Sequence, residues 1–209
     1  MSSMLDRVLA HPEVQRLSQA LAEHPGARID IPDPLRRAAV AVILRLGDAG
    51  TLELLLIKRA EFAGDPWSGH VALPGGRRED TDVSATATAI RETMEETAID
   101  LARDGRLLGA LDELQPIAPS LPPIVIAPFV FVAMSTVVIA RSREVADAFW
   151  VPLAALRDPD SAREIELQLL TGPRRVRSFG YGSHEIWGLT ERILSRLLET
   201  LQGGALARS

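Results

Sequence analysis

Glu92, Glu95 and Glu96 stand at spacings i, i+3 and i+4. At 3.6 residues per turn these positions share one face of a helix, so the three carboxylates would converge. Like charges at such spacings cost roughly 0.2 to 0.5 kcal/mol per pair, and carboxylates in the last turns also oppose the negative end of the helix dipole. A solvated acidic face usually carries Lys or Arg at i+4, whereas Glu92 is followed there by Glu96 and Glu95 by Ile99, with Arg91 the nearest compensating charge. A hard divalent cation, Mg²⁺ or Mn²⁺, would remove the conflict, because it prefers oxygen ligands and bridges carboxylates to phosphates. The spacing alone leaves a cation site and a plain acidic surface both open.

Pro74-Gly75-Gly76 precedes this cluster and Arg77 and Arg78 follow the glycines. Glycines let the backbone approach a ligand closely, and two guanidinium forks beside them suit phosphate oxygens. A diphosphate lodged between the loop and the carboxylates would meet backbone groups, arginines and cations together. The expected partner is a small-molecule diphosphate.

These residues need a scaffold. Val83 to Thr97 reads as a helix, capped by Thr81 or Asp82, with small residues in its first turns for close packing. Ala38–Leu46 and Leu52–Lys58 are aliphatic strands around the turn Gly47-Asp48-Ala49-Gly50, and Ala60–Pro74 is a loop holding Trp67 and His70. Further strands are expected at Leu107–Leu111, Ile124–Ala133, Val137–Ala140 and Ala148–Val151, a helical turn at Pro152–Leu156, and an edge strand at Arg174–Tyr181. Leu189–Leu201 is an amphipathic helix stopped by Gly203-Gly204, and Leu5–Leu21 an N-terminal helix followed by the linker Ile31-Pro32-Asp33-Pro34. Strands with flanking helices make an α/β layered single domain.

The 209 residues are 46% hydrophobic and 24% charged with a net charge of −5, so no global positive field draws the chain to nucleic acid or anionic lipid. Cysteine is absent, which leaves hard oxygen ligands as the metal chemistry available. The N-terminus has no apolar core of signal-peptide length, and a cytoplasmic location is the expectation. Leu121–Ala140 carries no charge, but Pro122, Pro123 and Pro128 and its β-branched content mark it as sheet core rather than a membrane span. The apolar stripe of Leu5–Leu21 would serve a homodimer interface as well as a core.

Gly76, Asp82 and the run Arg91-Glu92-Thr93-Met94-Glu95-Glu96-Thr97-Ala98-Ile99 resemble the signature of the Nudix hydrolases, G-x5-E-x7-R-E-U-x-E-E-x-G-U with U aliphatic. The departures are Asp82 at the first glutamate, eight residues instead of seven before Arg91, Thr93 at an aliphatic position, and Ala98 in place of a glycine. The resemblance implies an α/β/α sandwich with a mixed sheet, plus an N-terminal helix: residues 1–34 helix and linker, 35–203 the Nudix domain, 204–209 a tail. It further implies Glu92 and Glu96 as principal metal ligands, Glu95 as a further ligand or catalytic contact, the Gly76 carbonyl as another ligand, and Arg91 as the group orienting a carboxylate. The metal would be Mg²⁺ or Mn²⁺, and the reaction attack of water on one phosphorus of a diphosphate.

In this family a separate base often lies outside the signature. Glu144 is the nominee, with Asp112 and Glu113 behind it. Arg59, Trp67, His70, Arg77 and Arg78 are the candidate substrate contacts. The longer spacing, Asp80-Thr81-Asp82 and Ile186-Trp187-Gly188-Leu189-Thr190 look like the coenzyme A pyrophosphatase branch, although Asp65, Trp67 and His70 depart from that branch's loop. Coenzyme A or a derivative is thus the first substrate expected, followed by nucleoside diphosphate sugars and nucleoside triphosphates. A domain that senses nucleotides without hydrolysing them is the reading from another class.

Overall fold

The computed structural model describes residues 4–30, 37–64, 67–116, 124–169 and 172–203. In chain order they form α1 (Met4–Leu9), α2 (Pro12–Glu23), β1 (Arg37–Leu46), β2 (Leu52–Arg59), β3 (Val71–Ala72), β4 (Gly75–Arg77), α3 (Ala85–Thr97) and α4 (Leu101–Asp104). There follow β5 (Gly105–Ala110), β6 (Val125–Ala133), β7 (Val145–Pro152), α5 (Leu153–Arg157), β8 (Ala162–Leu169), β9 (Gly172–Tyr181), β10 (His184–Trp187) and α6 (Leu189–Leu201). The linker at residues 31–34, Asp65, and Pro122 and Pro123 lie outside the described residues.

β1 is central because its side chains are apolar on both faces. Ala39, Ala41 and Ile43 pack toward α3 with Ala89, while Ala38, Val42 and Leu44 join a second cluster with Leu17 of α2 and Leu194 and Leu197 of α6. Helices therefore cover both sides of one sheet, the expected α/β/α sandwich. The sheet is mixed: β6 runs parallel to β1 on one edge, and β2 and β4 pair antiparallel on the other. β5 pairs β6, and β3 and β7 pair β2, all antiparallel. The charge-free stretch contains strand β6, in which Val130, Phe131, Val132 and Ala133 are almost fully buried. No helix of the described residues is long and apolar enough to cross a membrane.

Several elements differ from expectation. The N-terminal helix is two helices, because Pro12 opens α2 and His11 caps it by accepting from Glu13 N. Its stripe of Val8, Val14, Leu17 and Leu21 is consumed in the core of the same chain. Val137–Ala140 is not a strand. Ala140 N instead donates to Thr97 O at 2.9 Å and Ser142 N to Glu96 O at 3.1 Å, which satisfies carbonyls that the end of α3 leaves without helical partners. Arg174–Tyr181 lies in β9, which is no edge: it sits between β8 and β10 in a second, three-stranded sheet. β8 is an additional strand: Glu164-Ile165-Glu166-Leu167-Gln168-Leu169 alternates polar and apolar residues at strand period, and its partner is the hairpin neighbour β9.

Candidate active site

α3 begins two residues later than a cap at Asp82 would place it. Ser84 is the cap, its Oγ accepting from Ala87 N at 3.1 Å. Asp82 is thereby released for another role. Its buried carboxylate accepts from Glu79 N at 2.9 Å, from Thr88 Oγ1 at 2.9 Å, and from Arg91 Nε and Nη2 at 3.0 Å each. Arg91 above all holds the Asp82 carboxyl well below the usual carboxylate range, and Asp82 in turn raises the Arg91 guanidinium.

Arg91 is the hub of the site. Besides Asp82 it donates to the Arg77 carbonyl at 3.0 Å, and it pairs with Glu92 and with Glu95 at 3.1 Å. Glu95 is exposed and tied to Arg91, while Glu92 and Glu96 turn inward. Thr93, at a position where the signature is aliphatic, is buried with its hydroxyl bonded to Ala89 O at 2.7 Å, so the polar group is satisfied within the helix.

The two glycines are required by contact. A Cβ on Gly75, which has φ 150°, would stand 2.3 Å from the Ala39 carbonyl oxygen. A Cβ on Gly76 would stand 2.4 Å from the Glu92 carboxyl carbon. The loop backbone thus lies directly against Glu92, and Gly75 N donates to Glu96 Oε2 at 2.9 Å.

Glu96 is only 4% exposed. Burial pushes its carboxyl up to about 7, against the opposing hydrogen bond from Gly75, and the charges of Glu92 and Glu144 push the same way. Burial likewise raises Glu92, opposed by Arg91 and reinforced by Glu95 and Glu144. Three carboxylates therefore feel one another here: two from α3 and one, Glu144, from the loop before β7. Among the described residues no three acidic or histidine side chains lie together in a cluster that could hold a metal ion as they stand. The donor set fits a hard cation: a buried carboxylate held at one oxygen by a backbone N–H, a second packed on the glycine loop, and a third, Glu144, whose charge both feel.

Other nominated residues divide into two groups. Arg59, at the end of β2, is brought to the site, where its charge favours ionised Glu96. Glu144 is exposed and its carbonyl accepts from Ala60 N at 2.8 Å, so the loops after β2 and before β7 are joined beside the carboxylates. Arg77 is exposed on β4 beside the glycines. His70 instead packs its ring 4.4 Å from Trp187 of β10, which helps to dock the loop, and its backbone N–H donates to the Trp67 carbonyl at 3.2 Å in a turn within the loop. Arg78 donates to the Asp82 carbonyl at 3.1 Å, at the start of α3. Asp112 and Glu113 lie elsewhere and hold the segment after α2, by accepting from Ala27 N and Ile29 N at 2.8 Å each. Sequence reasoning missed the Asp82–Arg91 pair; the acidic residue at the signature's first glutamate position was the available signal.

A family model described as the NUDIX domain matches residues 35–170. An uncharacterised protein of Schizosaccharomyces pombe is 37% identical over 169 residues, 71% of this chain. The chain spans about half the length of that relative, 51%. NudL of an Enterobacter species, described as an uncharacterised Nudix hydrolase, is 31% identical over 166 residues, covering 79% of this chain and 83% of NudL. Among solved structures, a MutT/nudix family protein from Enterococcus faecalis superposes with a TM-score of 0.51 at 17% identity, over 83% of this chain and 65% of that one, a likeness of fold.

Proposed function

The chain belongs to the Nudix family, and from that premise we propose that it is a divalent-metal-dependent pyrophosphohydrolase acting on a diphosphate linkage in a nucleoside-diphosphate compound. The observation that carries the proposal is the pairing of buried Glu96 with Glu92 against Gly75-Gly76: a carboxylate so desolvated is stabilised in its charged form by a cation. Glu92, Glu96 and the Gly76 carbonyl would hold Mg²⁺ or Mn²⁺, with Glu95 as an outer contact released from Arg91. When bound, the metal lowers the pKa of water and neutralises charge on phosphoryl oxygens.

The chain's own groups do the rest. Arg91, fixed by Asp82, sets the positions of Glu92 and Glu95. Arg59 and Arg77 offer guanidinium forks to the diphosphate oxygens. Glu144, on a separate loop and near enough for its charge to raise Glu92 and Glu96, accepts the proton of the attacking water.

Coenzyme A or an acyl derivative is the proposed substrate, cut to adenosine 3',5'-bisphosphate and 4'-phosphopantetheine. Its support is the longer spacing before Arg91, Arg59, and the Trp187-Gly188-Leu189-Thr190 entry to α6. The test incubates the protein and Mg²⁺ or Mn²⁺ with coenzyme A, nucleoside diphosphate sugars and nucleoside triphosphates, reading products by mass. Preferential release of the bisphosphate and phosphopantetheine is expected. Turnover of another compound in the panel would reassign the substrate, and binding without any turnover would overturn the hydrolase reading.

A further inference from the structure

A second cleft lies on the other side of β1 from the paired glycines. Its floor is Ala127 and Phe129 of β6; one wall is Val83 and Ser84 with the first turn of α3, and the other is the segment at residues 26–28. It measures about 340 Å³, within the range of small-molecule sites. Arg28, Arg37 and Arg78 line it against one carboxylate, Glu113, which already pairs with Arg37 at 3.0 Å. In a chain of net charge −5 this is a local concentration of positive charge.

The wall that carries Arg28 is built rather than loosely draped. Ala27 N donates to Asp112 Oδ1 and Ile29 N to Glu113 Oε2, both at 2.8 Å, while the Ala27 carbonyl accepts from Glu113 N at 2.9 Å. Arg37 donates to the Ile29 carbonyl at 3.0 Å. Gly26 sits so close to the end of β5 that a Cβ there would stand 2.2 Å from the Leu111 carbonyl oxygen. Arg28 is thus an exposed side chain between two anchored residues. Across the cleft Val83 is 90% exposed, and Phe129 on the floor is half-buried.

We propose that this cleft binds a small organic anion in which a flat apolar ring carries a phosphate group, as a nucleoside monophosphate does. The ring lies over Phe129 and covers Val83, and the phosphate meets Arg28 and Arg78 beside the positive end of α3. Ser84 and Glu96 are twelve residues apart on α3, about 18 Å along the axis at 1.5 Å per residue. One nucleoside monophosphate therefore does not fill both this cleft and the carboxylate site. The occupant is either the far end of a long diphosphate substrate or a separate ligand of the same chemistry.

The test titrates the full chain with AMP in EDTA by calorimetry. AMP has no anhydride bond, so the readout needs no turnover and is independent of the hydrolytic reading. Wild type and Glu96→Gln should bind AMP alike and inorganic phosphate more weakly. Val83→Glu and Arg28→Glu, both at exposed positions, should melt as wild type does and weaken AMP binding by about tenfold or more. AMP that raises KM at constant kcat, an effect lost in Val83→Glu, identifies the substrate's far end. AMP that alters kcat, or neither constant, identifies a separate ligand. No binding at millimolar AMP, undiminished binding in both cleft variants, or loss of binding in Glu96→Gln overturns the proposal.

Discussion

The Asp82 carboxylate receives two parallel hydrogen bonds from Arg91, Nε to Oδ1 and Nη2 to Oδ2, each 3.0 Å long. Eight residues separate the pair, one more than in the family signature, and aspartate is one methylene shorter than the signature's glutamate. With the longer loop and the shorter side chain an acidic group still reaches Arg91. Asp82→Asn should lower unfolding free energy by about 2 kcal/mol, the scale of a hydrogen bond to a charged group, as measured by urea denaturation. Asp82→Glu should also destabilise, by about 1 kcal/mol or more, because the site is only 6% exposed and an added methylene must be packed.

The same pair sets an acid sensitivity. Arg91 depresses the folded-state pKa of Asp82 below its ordinary 3.8, so the folded state holds the proton less tightly than the unfolded chain does. The stabilisation is complete above the unfolded value and is lost as pH falls toward the folded one. The stability difference between wild type and Asp82→Asn should therefore be constant from pH 8 to about pH 5 and shrink below about pH 4. A difference that grew in acid would contradict the assignment.

How much of this was legible in the sequence depended on whether a signal was local. The helix carrying Glu92, Glu95 and Glu96 and the paired glycines could be read because i, i+3, i+4 spacing and Gly-Gly are local patterns. The layered α/β class followed from aliphatic runs such as β1 and β6, and the sandwich from the resemblance to the Nudix signature. Two things were hidden. Whether Asp82 caps α3 or binds Arg91 depends on the chain's path over residues 78–84, which local propensity leaves open. His70 meets Trp187 across more than a hundred residues, so no window contains both. β8, by contrast, was legible: Glu164-Ile165-Glu166-Leu167-Gln168-Leu169 alternates polar and apolar residues, the period of a strand exposed on one face, and only its partner β9 was not local knowledge.

Glu96 and Glu144 should fail in different ways if the first holds the metal and the second takes a proton. Glu96→Gln removes a buried ligand charge and should cost roughly 10²-fold or more in kcat while moving the metal-activation midpoint to higher concentration. Glu144→Gln should lower kcat by about 10²-fold with the midpoint little changed. Metal titrations of activity for the two variants separate these roles, and near-normal turnover in Glu96→Gln would remove the metal assignment.

Ala98 ends α3 in the left-handed region at φ 59°, where the family signature has glycine. The structure keeps the turn despite the Cβ, because Ala98 N bonds to Met94 O at 2.9 Å and the buried side chain of Ile99 follows. Left-handed backbone at a residue with a Cβ costs roughly 1 to 2 kcal/mol. Ala98→Gly should raise stability by about 1 kcal/mol with no loss of activity, since Ala98 is exposed and donates no packing. A shift of the urea midpoint to higher concentration at constant m-value is the expected reading.

The segment from β9 to α6 lies outside the residues matched by the family model, yet it holds the loop between β2 and β3. Trp187 packs on His70, Thr190 Oγ1 donates to the Val71 carbonyl at 3.1 Å, and the His70 carbonyl accepts from the backbone of Arg59 at 2.9 Å. Thr190→Val keeps the shape and removes that one bond, leaving the Val71 carbonyl short of a partner, at a cost of about 1 kcal/mol. Trp187→Ala removes the ring and should cost more. If the loop positions Arg59 for the diphosphate, both variants should raise KM several-fold while kcat falls less, and amide exchange at the β2–β3 junction should quicken. Unchanged KM alongside lowered stability would restrict this C-terminal segment to a purely structural part.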